Sequence, residues 1–166
     1  AGDSSPSGSS PGDSIPSMKL MTGTAEGPKE VGTEELFGAG TTVLFGVPGA
    51  FTPTCSVKHL PGYVAQAAAF RAKGVTHIVC MAVNDPFVMG AWGRDQNAGE
   101  DVVMLADGSA ALTRALGMEL DLTARGMGIR CQRFVLVAKD GVVKHIAVEA
   151  PGAFEVSKAE TVLAAL

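Results

Sequence analysis

Cys55 closes the string Val47-Pro48-Gly49-Ala50-Phe51-Thr52-Pro53-Thr54-Cys55, where an apolar run gives way to a turn and then to a helical pattern. A thiol in the first turn of a helix lies among backbone N–H groups that lack internal partners, at the positive end of the macrodipole. Both influences favour the thiolate, the nucleophilic form of the side chain. Thr52, three residues earlier, offers a hydroxyl within reach of the sulfur, and Pro48 and Pro53 fix and shield the turn. Taken alone, a cysteine reads as a small buried hydrophobe; this context favours a nucleophile. Thiolate formation does not suffice for fast attack, because nucleophilicity falls as basicity falls. Fixed donors aimed at the developing charge must supply the larger share. The local candidates are Thr52 and the N–H groups of Thr54 and Cys55; the remote ones are Arg130 and Arg133. His59, about one helical turn after Cys55, is placed to help orient such a site.

The other two cysteines, Cys80 and Cys131, form no Cys-x-x-Cys pair with Cys55 or each other. That pattern disfavours a disulfide-stapled secreted domain, a zinc site or a plain disulfide oxidoreductase, and suits a reducing compartment with one or two working thiols. His77 and His145 read as strand side chains, and Phe51, Phe87 and Trp92 as packing or contact residues. A net charge of −4, with no cluster of Lys or Arg beyond two, argues against nucleic-acid binding. No apolar run approaches the roughly 18 residues of a membrane span. The 166 residues suffice for one domain with a substantial core. Seven Ser, three Gly and three Pro among the first 17 residues leave little to bury. Residues 1–11 therefore read as a disordered tail and 12–166 as the domain. The missing initial Met reads as the mark of a processed precursor.

The elements that must position Cys55 follow from patterning. Residues 41–47 are β-branched and apolar, as a buried strand requires. A helix is predicted from Cys55 to Lys73, bent at Pro61-Gly62 and closed by Gly74. Residues 76–83 form a nearly continuous apolar run, the signature of a strand covered on both faces in a parallel arrangement. Asp85 caps a helix that opens with Pro86. Short strands are expected at 18–21 and 102–105, and a short helix at 110–116. Asp140-Gly141 joins a hairpin of 134–138 with 142–148. Thr33 is expected to cap a helical turn, and Ser157, with Glu160, to form a capping box for the last helix. Alternating β and α followed by a hairpin and a helix describes a single α/β domain, a mixed sheet flanked by helices.

The spacing Pro48-x-x-x-Thr52-x-x-Cys55 resembles the signature of peroxiredoxins. The string Val47 to Ser56, with His59-Leu60-Pro61-Gly62 after it, resembles their type II, or atypical two-cysteine, group in its plant and algal form. The similarity continues through Val83-Asn84-Asp85-Pro86-Phe87-Val88-Met89, Ala91-Trp92-Gly93, Ala106-Asp107-Gly108, Leu120-Asp121-Leu122, Gly128-Ile129-Arg130 and Arg133-Phe134, from about Gly12 to the C-terminus. The resemblance implies a thioredoxin fold and a thiol peroxidase that reduces hydrogen peroxide and organic hydroperoxides through a cysteine sulfenic acid, with no metal or organic cofactor. It makes Cys55 the peroxidatic nucleophile and Pro48, Thr52 and Arg133 its catalytic neighbours, leaving Arg130 a secondary role. It places the resolving thiol at Cys80; animal-type members carry theirs near the C-terminus, where this chain has Ser157. Cys131 departs from the serine usual in plant-like members and reads as incidental. The implied partners are glutaredoxin with glutathione, or a thioredoxin, as reductant, and a second copy of the chain meeting it around Pro48, Phe51 and the Phe87–Trp92 segment. The processed-looking N-terminus suggests the chloroplast stroma, with mitochondrion or cytosol as alternatives. A peroxide sensor or redox relay, passing a disulfide to client proteins, is the competing reading of the same cysteine.

Overall fold

Strand β3 (Thr41–Gly46), buried from Thr42 onward, stands near the middle of a seven-stranded sheet in a computed structural model that describes residues 9–166. On one side it pairs in parallel with β4 (Val75–Ala82), which pairs in parallel with β5 (Val103–Ala106). On the other side it pairs antiparallel with β8 (Phe134–Lys139), which forms a hairpin with β9 (Val142–Val148). The hairpin turns through Asp140 and Gly141, both at positive φ, as the Asp-Gly pair predicts. At the far edge β1 (Lys19–Thr24) and β2 (Gly27–Gly32) complete the order β2-β1-β5-β4-β3-β8-β9. The parallel strands are apolar on both faces because helices cover both.

The two faces bury separate cores. One holds Phe45, Cys55, Leu60, Tyr63, Phe70, Cys80 and Trp92, and receives α2 (Leu60–Ala65), α3 (Ala67–Ala72), α4 (Pro86–Asp95) and α6 (Ala159–Ala165). The other holds Leu44, Val79, Met81, Cys131, Phe134 and Leu136 under α1 (Thr33–Phe37) and α5 (Ala111–Ala115). The period-2 alternation of β4 puts Cys80 in the core that holds Cys55, whereas Cys131, at the end of the ribbon strand Gly128–Cys131, packs into the other core. Asp85 caps α4 as expected, accepting a bond from the Val88 N–H at 2.8 Å.

The other two expected caps are spent elsewhere. Thr33 donates to the Pro16 carbonyl and accepts from the Met18 N–H, while the Glu35 carboxylate takes the Gly32 N–H. The Ser157 hydroxyl donates to Glu149, and no side chain caps α6 at Lys158. In both places a hydroxyl found a tertiary partner instead of a local N–H. The long helix also differs from the expected bend. It runs as a π-helical turn over Cys55–His59, continues as α2, and breaks at Gln66 before α3. Pro61 has no N–H to give the Val57 carbonyl, so the turn widens ahead of it, and the Leu60 N–H reaches back five residues to Cys55. Three strands escaped the patterning. β2 is an exposed edge strand carrying Pro28, which such an edge tolerates. β6 (Glu119–Leu122) and β7 (Gly128–Cys131) form a separate ribbon of four-residue strands. Most of the tail expected to be disordered falls on residues 1–8, outside the described residues; Ser9 donates its N–H to the Leu116 carbonyl.

Gly46 sets the approach of β8 to β3. It lies opposite Phe134, whose ring occupies the space a Cβ at position 46 would fill. Because Arg133 immediately precedes Phe134, that contact also places the arginine. Gly46→Val is expected to destabilise the fold by about 1–3 kcal/mol through overpacking. Urea unfolding measures this, and a variant as stable as wild type would contradict the close packing.

Candidate active site

The turn after β3 is tied down on three sides. The Ala50 N–H donates to Asn84 Oδ1 at 2.9 Å, from the loop after β4. Arg130 donates through Nε to the Met127 carbonyl at 2.8 Å and more loosely to the Pro48 carbonyl at 3.4 Å. The Cys131 thiol donates to the Val47 carbonyl at 3.1 Å. Phe51 sits at φ 64 in the left-handed region, a strained position for a bulky residue, with its ring half exposed. Trp92, fully buried, donates its indole N–H to the Ser56 hydroxyl at 3.0 Å and so holds the residue after Cys55.

Cys55 is fully buried at the start of the π turn. Arg133 crosses from the head of β8 and donates through one terminal nitrogen to Cys55 Sγ at 3.1 Å. Its other terminal nitrogen bonds to His59 Nδ1 at 2.8 Å. An arginine has no acceptor, so His59 must present Nδ1 bare and carry its proton on Nε2. That proton faces the Ser157 carbonyl at 3.1 Å, which fixes this tautomer. The same carbonyl accepts the Tyr63 hydroxyl at 2.6 Å. The His59 ring is enclosed by Phe45, Tyr63 and Phe154, and the Arg133 guanidinium lies 6.0 Å from the centre of the Phe154 ring.

Of the residues singled out by sequence, Cys55 and Arg133 meet directly. Thr52 stands in the same turn, with its hydroxyl donating to the Gly49 carbonyl at 2.7 Å rather than to the sulfur. Pro48 contributes its carbonyl to Arg130. Cys80 lies within β4, fully buried in the core that also holds Cys55. Burial, and after it the neighbouring Cys55 and Cys131 sulfurs, push its thiol pKa well up. The Cys131 thiol is also pushed up, by burial and then by Asp107. His59 braces the Arg133 guanidinium; its spacing from Cys55 and its place in the resemblance string were its sequence signals. Tyr63 and Glu149 carried no sequence signal for a place at this site, and Ser157 only its position where animal-type members carry a resolving cysteine.

His59 has an electrostatic consequence for stability. Burial, and after it the Arg133 guanidinium, lower its pKa from 6.5 to about 3. Between those values the unfolded chain binds the proton and the folded chain does not. Stability from this group is therefore complete above pH 6.5 and declines as pH falls, by up to about 1.4 kcal/mol per pH unit. Urea titrations from pH 7.5 down to 5 are expected to show a steeper loss for wild type than for His59→Gln. Equal slopes would contradict a neutral, buried His59.

The Redoxin family profile matches residues 10–163. The chain is 49% identical over 160 residues to rice "Peroxiredoxin-2E-2, chloroplastic", covering 93% of this chain and 71% of the relative. It is 51% identical over 124 residues to Arabidopsis thaliana "Peroxiredoxin-2B", covering 75% and 76% of the two chains. Reduced Prx3 of Vibrio vulnificus, solved in complex with hydrogen peroxide, superposes with a TM-score of 0.89 at 50% identity, covering 95% of this chain and 98% of that one. On this family match and these relatives, the chain belongs to the type II peroxiredoxins, thiol-dependent peroxidases.

Proposed function

We propose that Cys55 is the peroxidatic nucleophile and that Arg133 activates both it and the peroxide. The observation that carries this reading is the Arg133 fork, with one N–H on Cys55 Sγ and the other arm braced on His59. A cationic donor at 3.1 Å favours the thiolate and reduces the cost of moving its charge. The sulfur attacks the terminal oxygen of R–O–O–H, forming the S–O bond as the O–O bond breaks. The sulfenic acid keeps the hydroxyl, and the alkoxide (hydroxide for hydrogen peroxide) leaves and takes a proton from solvent. Negative charge passes from sulfur to the leaving oxygen along the line of the peroxide, where a planar guanidinium can follow it with two donors. Thr52, whose hydroxyl bonds the Gly49 carbonyl, and Pro48 shape the turn that leads into Cys55. Hydrogen peroxide and alkyl hydroperoxides both supply the reacting bond.

Recycling then consumes thiols. Glutathione attacks the sulfenic sulfur, releasing water and leaving a mixed disulfide that a second thiol, glutathione or glutaredoxin, reduces. Alternatively Cys80 attacks the same sulfur, releasing water, and a thioredoxin reduces the Cys55–Cys80 disulfide. Support for Cys80 over Cys131 comes from its place in the same core as Cys55, whereas Cys131 packs on the other face of the sheet. Cys80 is embedded in a central strand, so this route requires local loosening of the π turn or of β4. It runs slower than peroxide attack and leaves time for glutathione capture.

The protein is proposed to work as a homodimer joined near the active-site turn, where Phe51 and Phe87 are exposed. Their large apolar surfaces suit an interface core. A chloroplast location is supported by relatives from rice and Arabidopsis thaliana whose names include that organelle, and organelle fractionation tests it.

Cys55→Ser is expected to abolish peroxide consumption with every donor. Arg133→Lys should slow sulfenic acid formation roughly 10²- to 10³-fold, the usual loss for a transition-state donor. In the same stopped-flow series Cys80→Ser is expected to keep fast oxidation of Cys55 and glutaredoxin-supported turnover but lose most thioredoxin-supported turnover. An active Cys55→Ser, a near-wild-type Arg133→Lys, or a dominant Cys55–Cys131 linkage on peptide mapping would contradict these assignments. Sedimentation is expected to give a dimer at micromolar concentration, and a strict monomer in both redox states would remove the interface.

A further inference from the structure

Ser157 lies in the stretch between β9 and α6 that belongs to neither element, and its carbonyl nevertheless holds the two buried donors at the base of the site. What fixes that carbonyl is Glu149, the residue after β9. One carboxylate oxygen of Glu149 accepts three bonds: from the Ser157 hydroxyl at 2.7 Å, the Ser157 N–H at 2.8 Å and the Glu155 N–H at 2.8 Å. The Glu149 N–H donates to the Arg133 carbonyl at 2.9 Å. Glu149 is therefore linked to Arg133 twice, directly through the backbone and indirectly through Ser157 and His59. Partial burial works against its charge, yet the bonds from Ser157, Glu155 and Val156 keep its carboxyl below the ordinary glutamate pKa.

We infer that Glu149 is a positioning residue of the peroxidase, acting through Ser157 and His59 to aim the Arg133 fork at Cys55. The His59 tautomer transmits the effect. With the Ser157 carbonyl in place, the ring proton stays on Nε2 and Nδ1 is free to accept from Arg133. With the carbonyl displaced, the proton is free to move to Nδ1, where it meets the Arg133 N–H head-on, donor against donor. The guanidinium must then swing away, and its bond to the sulfur goes with it. An outer group that fixes the tautomer of an inner imidazole is the same device that orients histidines at metal centres. The inference rests on the proposed roles of Cys55 and Arg133.

The test compares Glu149→Ala, Glu149→Gln and Arg133→Lys in the full chain. Glu149→Ala is expected to slow peroxide attack roughly 10- to 100-fold, the cost of misplacing a group by about an ångström. Alkylation of Cys55 by iodoacetamide, which draws on the thiolate but needs no fork on a peroxide, should slow by much less than peroxide attack. The ¹⁵N spectrum of His59 should lose the pure Nε2–H pattern. Glu149→Gln keeps an acceptor oxygen for the Ser157 and Glu155 N–H groups and should restore most of the rate. A Glu149→Ala protein with a wild-type peroxide rate, or with alkylation slowed in step, overturns the inference. Should that variant not fold, Ser157→Ala removes one of the three donors and is expected to slow the peroxide step about threefold, one hydrogen bond's worth; no slowing overturns the inference. A wild-type rate for Arg133→Lys would instead overturn the underlying site assignment, and this inference with it.

Discussion

The Arg133 guanidinium between Cys55 Sγ and His59 Nδ1 is the contact around which this molecule is arranged. A planar cation with fixed donors is useful only if its plane and distance are fixed, and both ends of this one are. The sulfur is set by the π turn that Pro61 imposes and by the Trp92–Ser56 bond. The arginine is set by the β3–β8 pairing, where Phe134 packs over Gly46. The histidine is set from below by a single carbonyl. Residues 78 positions apart in the chain are thereby brought within hydrogen-bond reach.

The three thiols illustrate how environment divides one side-chain type among different tasks. All are fully buried, but only Cys55 has a cationic donor on its sulfur among the described residues. Cys80 shares the Cys55 core yet is enclosed in a central strand, where desolvation disfavours the thiolate. Cys131 spends its proton on the Val47 carbonyl, at the end of the strand that leads into the active-site turn, and so is structural in this state. Reactivity follows the partners of the sulfur more closely than its depth.

Much of this was legible in the sequence because the signals were local. The apolar runs of β3 and β4, the Asp-Gly hairpin, the Asp85-Pro86 helix start and the strand–turn–helix setting of Cys55 all depend on neighbours within a few residues. Arg133 was reached through family resemblance, since nothing in spacing links it to Cys55. The two misplaced caps share one cause. Thr33 and Ser157 have the right chemistry to cap helices, but Pro16 and Glu149 offered better tertiary partners. The weight of His59 was underestimated because its role comes from Ser157, 98 residues away. The π turn was missed because Pro61 reads equally well as a bend. β6 and β7 were too short, and β2 too polar and proline-bearing, to show a strand period.

The central claim is that the fork recognises the peroxide transition state and does not merely supply thiolate. Its most direct test is a ratio measured on reduced wild-type protein at one pH. The rate constant of Cys55 with hydrogen peroxide, divided by its rate constant with iodoacetamide, is compared with the same ratio for a free thiolate. The account expects the protein's ratio to exceed the free one by roughly 10³-fold or more, because donors aimed at peroxide oxygens favour that reaction selectively. A ratio equal to that of the free thiolate would mean that Arg133 only ionises the sulfur, and would contradict the account.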